Sequence, residues 1–283
     1  MKMKLITGII GLSLLASCNS TKQLETQSLK DIAEKSKASV FKNYNEKDVR
    51  TYFNDGYIQH NPNVPTGIEP VVSILPTLQS ENTTYTTHRV LQDGNFVVLH
   101  NSYQNATKAF GYKDAITFEV LRIENEKVAE HWDATTPIVL QTASGRSQTD
   151  GPTTIIDLEK TNENKSLVKN FLKDVLMGEN PSKITEYISS EQYDQHNPMV
   201  KDGLKGLGEA IEYLASQDNL FKYSKIHKVL GEGNFVFTQS EGEWNNKPYA
   251  FYDLFRVKDG KIVEHWDVVQ EIPEKMAHNN GMF

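Results

Sequence analysis

The chain has 283 residues, 38% of them apolar and 24% charged, which is a globular composition with length for two domains of ordinary size. A net charge of -7 leaves no basic surface on which phosphates could condense, so nucleic acid is not an expected partner. Cys18 is the only cysteine, which excludes an internal disulfide.

Residues 1–18 place Lys2 and Lys4 before an apolar run from Leu5 to Leu15, followed by the small residues Ala16 and Ser17. That is the pattern of a secretory signal peptide, too short to span a bilayer as a helix. The ending Leu15-Ala16-Ser17-Cys18 resembles the lipobox of bacterial lipoproteins, whose Cys becomes the first mature residue and receives a diacylglycerol. The resemblance implies lipidation at Cys18 and a lipid-anchored membrane lipoprotein of the bacterial cell envelope, on its periplasmic or extracellular face. Two or three acyl chains, at about 0.8 kcal/mol per buried methylene, make such an anchor stable. Residues 19–28 are polar and read as a tether.

A first domain is expected over 29–140. Leu29 to Tyr44 has apolar residues at helical spacing, a short second helix leads into the loop Gln59-His60-Asn61-Pro62, and a third starts near Gly67. Strand-like segments rich in Thr, Val, Phe and Tyr follow, with hairpin signals at Asp93-Gly94 and Glu126-Lys127. Residues 141–163 are rich in Ser, Thr, Gly and Asn and read as a linker. A second domain, 164–283, repeats the order: Leu167, Val168, Phe171, Leu172 and Val175 at helical spacing, a helix near Gly203, then strands joined at Glu232-Gly233 and Asp259-Gly260.

The repetition is literal in places. Tyr57-Ile58-Gln59-His60-Asn61-Pro62 returns as Tyr193-Asp194-Gln195-His196-Asn197-Pro198, and Glu130-His131-Trp132-Asp133 returns as Glu264-His265-Trp266-Asp267. Helices first and antiparallel strands afterwards predict an α+β fold: two tandem cone-shaped domains, each with about three N-terminal helices on a curved antiparallel sheet. The Gln-His-Asn-Pro loop, Asp253-Leu254-Phe255-Arg256 and the stretch Asp259 to Asp267 resemble the SnoaL-like proteins of the nuclear-transport-factor-2-like cone fold, in particular the predicted aldol-condensing members. The resemblance spans nearly all of both copies. It implies a carboxylate, often with a His, in an apolar cavity that moves protons without a cofactor.

Such chemistry needs a base beside a carbonyl and a donor for the enolate. Asp253 alternates with Phe251, Phe255 and Val257 on one strand face, where desolvation would raise a carboxylate toward neutrality. His196 is the candidate donor or orienter, against a structural reading in which it pins the Asn197-Pro198 turn, and His60 stands in the same position in the first copy. Turn geometry leaves two registers open. Pairing Val257 with Ile262 sets Asp253 opposite Trp266, with His265 and Asp267 on the convex face; a bulged three-residue loop sets it opposite His265 as an acid–base pair. Glu119 and His131 are the first copy's counterparts, less favoured because that copy lacks the Asp-Gly turn. No two His share metal-binding i, i+4 spacing, and neither metal nor cofactor is expected.

Two function classes result: a cofactor-independent acid–base enzyme of aldol, isomerase or dehydratase type acting on a small apolar carbonyl compound, or a non-catalytic lipoprotein holding a hydrophobic ligand in its cone cavities. An intramolecular pseudo-dimer or a homodimer remains open.

Overall fold

The computed structural model describes residues 27–283, so the expected signal peptide, Cys18 and most of the expected tether lie outside the described residues. The first domain opens with α1 (Leu29–Phe41), capped by the Ser28 side chain on the Asp31 N–H, and α2 (Glu46–Tyr52), capped likewise by Asn45. Between α2 and His60 lies a strand, β1 (Phe53–Gln59). The expectation that a helix leads directly into the loop is therefore corrected: Phe53, Tyr57 and Gln59 are buried at even spacing, and the segment pairs parallel with the last strand of the domain. After α3 (Ile68–Glu81) come β2 (Thr84–Asp93), β3 (Phe96–Gln104), the single turn α4 (Thr107–Phe110), β4 (Asp114–Glu124) and β5 (Lys127–Pro137). The sheet order is β1-β5-β4-β3-β2.

The second domain repeats this plan with α5 (Thr161–Phe171) running into a wider π turn at Leu172–Leu176, then α6 (Ile184–Tyr187), β6 (Asp194–Gln195) and α7 (Gly203–Ser216). β7 (Lys222–Glu232), β8 (Phe235–Trp244), β9 (Lys247–Lys258) and β10 (Lys261–Glu271) complete a sheet ordered β6-β10-β9-β8-β7. The chain is thus α+β, with two five-stranded sheets and helices packed on each.

Both final hairpins turn on two residues with left-handed backbone, Asn125-Glu126 at φ 49° and 60° and Asp259-Gly260 at 51° and 71°. The missing Asp-Gly pair in the first copy therefore changes the residues of the turn and not its shape. Just beyond each turn the last strand carries a bulge, with Ala129 and Val263 as the extra residues. Either bulge advances the pairing by one position, and so decides which side chains share a face.

Each domain has two cores. One lies between its helices and the inner face of its sheet: Ile32, Val40, Val49 and Leu121 in the first, Val168, Phe171, Phe255 and Ile262 in the second. The outer faces meet each other, and Val98, Phe118, Val120 and Trp132 share one buried cluster with Phe237, Tyr252, Leu254 and Trp266.

The segment 141–163 is no free linker. The Ala143 N–H donates to Pro198 O at 2.9 Å, Ser144 Oγ to Gln195 O at 2.7 Å, and Ile156 O accepts from Asn234 N at 2.9 Å. A Cβ on Gly233, at φ +60°, would stand 2.0 Å from Ile156 O, so only glycine admits this approach. The C-terminal tail binds the first domain in the matching way: Ala277 N donates to Pro62 O at 2.7 Å, and Gly281 O lies 2.9 Å from His60 Nδ1, as Ser147 O lies 2.7 Å from His196 Nδ1. The strap following each sheet is laid on the loop of the other domain.

Candidate functional site

In the second domain, the β10 bulge places Asp267 opposite Asp253 and His265 opposite Phe255. His265, Asp267, Asp253 and Phe255 therefore share the inner face, while Glu264, Trp266 and Val268 turn outward. Val257 pairs with Ile262 as in the first expected register, but the bulge at Val263 then sets Asp253 opposite Asp267 and not Trp266, and His265, a diagonal neighbour, makes the contact with Asp253 expected of the second register. His265 does not lie on the convex face, and Trp266 does not share the cavity with Asp253. Trp266 is fully buried between the two sheets, its Nε1 donating to Asp150 O at 3.0 Å.

The inner face encloses a cavity of about 130 Å³, close to the ~150 Å³ apolar void that accommodates benzene. Leu207, Ile211, Leu214, Phe221 and Phe251 give it an apolar wall, and Tyr193, Asn197, His265 and Asp267 supply the polar atoms. Asp253 lies behind this layer, 1% exposed. Its Oδ1 is 3.1 Å from His265 Nε2, and the Tyr223 hydroxyl donates to both of its oxygens at 3.1 Å. The expectation of Asp253 as the group facing substrate is corrected to one of support, since Tyr223 and His265 occupy its oxygens.

His265 Nδ1 lies 3.0 Å from Gln195 Oε1, an oxygen identified by the Asn197 backbone N–H that donates to it at 2.9 Å. Both ring nitrogens thus face acceptors, which suits the imidazolium. Burial works against that charge, but the hydrogen bond to Asp253 and the nearby Asp267 carboxylate prevail and hold the pKa above the ordinary histidine value. Asp267 is raised chiefly by burial, with His265 lowering it and Asp253 raising it, and its Oδ2 accepts the Asn197 amide at 2.6 Å. Burial also lifts the Tyr193 hydroxyl above its ordinary value, so it remains a donor.

The first domain carries the same frame. Glu119 pairs across from Asp133, Gln59 Oε1 lies 2.9 Å from His131 Nδ1, and Asn61 Nδ2 donates to Asp133 Oδ2 at 2.8 Å. His131 Nε2 is 3.8 Å from Glu119 and 4.0 Å from Asp133. A cavity of about 110 Å³ opens here, lined by Glu119, His131 and Asp133 and also by Lys37 of α1.

His196 and His60 belong to neither cavity. His196 is stacked 4.6 Å from Trp266 on the outer face, with Nε2 2.9 Å from Glu264 Oε1, and Glu264 accepts Arg256 Nε at 2.6 Å. His60 repeats this on Trp132 at 4.8 Å, with Glu130 at 2.8 Å. Their place beside the expected donor role is corrected for a simple reason: a residue leaving the end of a parallel strand next to Gln195 or Gln59 points to the opposite face from the Gln. Across the sheets, Arg89 lies 4.1 Å over the Trp266 ring and Lys228 3.9 Å over Trp132, each a cation supplied by the other domain.

Five participants of the second site were missed at the sequence level: Asp267, Tyr193, Gln195, Tyr223 and Asn197. Asp267 repeats as Asp133, Tyr193 as Tyr57 and Asn197 as Asn61, so the duplicated motifs held that signal; Tyr223 lies outside them.

Residues 168–265 match the family model of the SnoaL-like domain. That stretch runs from α5 to the cavity histidine. No curated protein matches the chain. Among solved structures, TsrD from Streptomyces laurentii is similar at 18% identity over 38% of this chain and 87% of its own, with a TM-score of 0.33. An NTF2-like protein from Cytophaga hutchinsonii is 13% identical over 40% and 95%, with a TM-score of 0.33. An LEH-like epoxide hydrolase from M. tuberculosis is 21% identical over 39% and 85%, with a TM-score of 0.31.

Proposed function

We propose that the second domain performs cofactor-independent proton transfer, of aldol, isomerase or dehydratase type, on a small apolar carbonyl compound. The observation that carries this reading is Asp267: a carboxyl lifted by burial, lining an apolar cavity and fixed by Asn197. A base of raised pKa takes a proton next to a carbonyl at neutral pH more effectively than an ordinary aspartate. The Tyr193 hydroxyl donates to the enolate oxygen. His265, clamped between Gln195 and Asp253, supplies a fixed positive charge behind both, and Asp253 is a positioning residue.

The test is substrate-neutral. Exchange of α-protons for deuterium in a panel of small apolar ketones and aldehydes, followed by NMR, should be catalysed by the full chain and lost in Asp267→Asn with the fold retained. Exchange unaffected by Asp267→Asn would overturn the assignment.

We further propose that the chain works as an envelope lipoprotein attached through a diacylglycerol on Cys18, a reading supported by the leader pattern. Among the described residues no helix is long and apolar enough to cross a membrane. Metabolic labelling with an alkynyl fatty acid should mark the native chain and not Cys18→Ala; equal labelling would refute it.

A further inference from the structure

Lys37 brings an amine to the first cavity, and among the described residues no lysine lines the cavity of the second domain. It sits on the buried face of α1 with Ala33 and Val40, and its side chain is 3% exposed. The corresponding turn of the second domain carries Phe171 and Leu172, both buried. The Lys37 ammonium donates to Glu119 Oε1 at 2.6 Å and contacts the Tyr103 hydroxyl, which itself donates to Glu119. Phe41 and Tyr85 add aromatic walls, with their ring centroids 5.2 and 5.1 Å from Nζ.

A second anomaly lines the same cavity. Asp133 is 4% exposed, Asn61 satisfies its Oδ2, and its Oδ1 is buried with no hydrogen-bond partner among the described residues. A buried carboxyl oxygen without a partner, on a residue that lines the cavity, is satisfied when a ligand supplies a polar atom. The cavity thus offers an amine, a carboxylate touching that amine, and, paired with that carboxylate on the neighbouring strand, a carboxyl group with one unpartnered oxygen.

We propose that the first domain captures small apolar aldehydes or ketones as an imine on Lys37. The ammonium gives a proton to Glu119. The free amine attacks the carbonyl carbon, forming the C–N bond while the C=O π pair moves to oxygen and takes the proton of Asp133. The carbinolamine nitrogen returns its extra proton to the Asp133 carboxylate. Loss of the hydroxyl, protonated by Glu119, then releases one water and leaves a protonated imine carrying the charge that the ammonium held.

Burial depresses the Lys37 pKa against the opposing pull of Glu119 and Asp133, which favours the free amine. Burial likewise raises Asp133, which favours its protonated form as the donor. This inference concerns a cavity separate from that of Asp267, so the two readings stand or fall independently.

The experiment is reductive trapping. The full chain is incubated at pH 7 with benzaldehyde or hexanal and limiting sodium cyanoborohydride, and adducts are located by peptide mapping. Lys37 should be alkylated at least about tenfold faster than any surface lysine, because the cavity holds the carbonyl compound beside the amine. Lys37→Arg keeps the charge beside Glu119 and should lose the rapid adduct, whereas Asp267→Asn should label as the native chain does. The mapping of the native chain stands even if Lys37→Arg does not fold. Surface lysines modified while Lys37 stays free, or undiminished rapid uptake in a folded Lys37→Arg chain, would overturn the proposal.

Discussion

His265 Nε2 lies 3.1 Å from Asp253 Oδ1, and this contact ties the charge of the second cavity to the stability of its sheet. Because the folded-state pKa of His265 is raised above its ordinary value of 6.5, the stability it contributes is fully present below about pH 6.5 and is lost as pH rises through the folded pKa. Thermal unfolding between pH 6 and about pH 9 should therefore show a decline in the native chain that is shallower in His265→Gln. Parallel curves for the two would contradict the ion pair.

Lys37 and Glu119 form a buried pair, so breaking either half leaves a charge without a partner. Lys37→Met is expected to cost about 3–5 kcal/mol in chemical denaturation. Lys37→Met combined with Glu119→Gln should recover a substantial part of that loss, because no buried charge then remains. Additive losses in the double variant would mean that the pair contributes packing and little electrostatics.

Trp266 is placed between the sheets and away from the cavity. Trp266→Ala should lower stability by about 3–5 kcal/mol through the void it opens. Proton exchange per folded molecule should stay at the native level, which is the outcome that separates a packing residue from a cavity residue. A specific loss of exchange with unchanged stability would return Trp266 to the site.

Residues 277–283 hold the loop that carries Gln59 and Asn61, through Asn280 Nδ2 to Gln59 O at 2.9 Å and His278 Nε2 to Asn61 O at 2.8 Å. Deleting them should accelerate hydrogen exchange in residues 57–66 by more than about tenfold, since protection follows local stability. The loop around His196 should remain protected, because its strap comes from residues 143–150. Equal exposure of both loops would show that the tail stabilises the whole molecule and not one loop.

The duplicated architecture was legible because matched motifs fix the order of elements, and alternation was enough to put Asp253 on an apolar inner face. The identity of its partner was not. One extra residue, Val263, advances the register and exchanges the faces of His265 and Trp266, and nothing in Lys261-Ile262-Val263 marks a bulge locally. Comparison of copies could have revealed Lys37: it falls on the apolar stripe with Ala33 and Val40, where a lysine is out of place unless it has a buried partner. The straps were illegible for a different reason. Their bonds are made by backbone groups and by ordinary polar side chains such as Ser144, His278 and Asn280, which any polar stretch supplies, so composition reads 141–163 as linker and marks nothing in the tail.

The exchange of straps has a consequence for how the two cavities can evolve. In an assembly of separate identical subunits, a lysine placed in one cavity is placed in all of them, and every copy must tolerate it. Covalent fusion removes that constraint while the crossed segments keep each half dependent on its neighbour for closure. Unlike cavities, one with an amine and one lined from the matching helix by Phe171 and Leu176, are delivered in fixed one-to-one proportion by a single translation event, with no sorting of subunits needed.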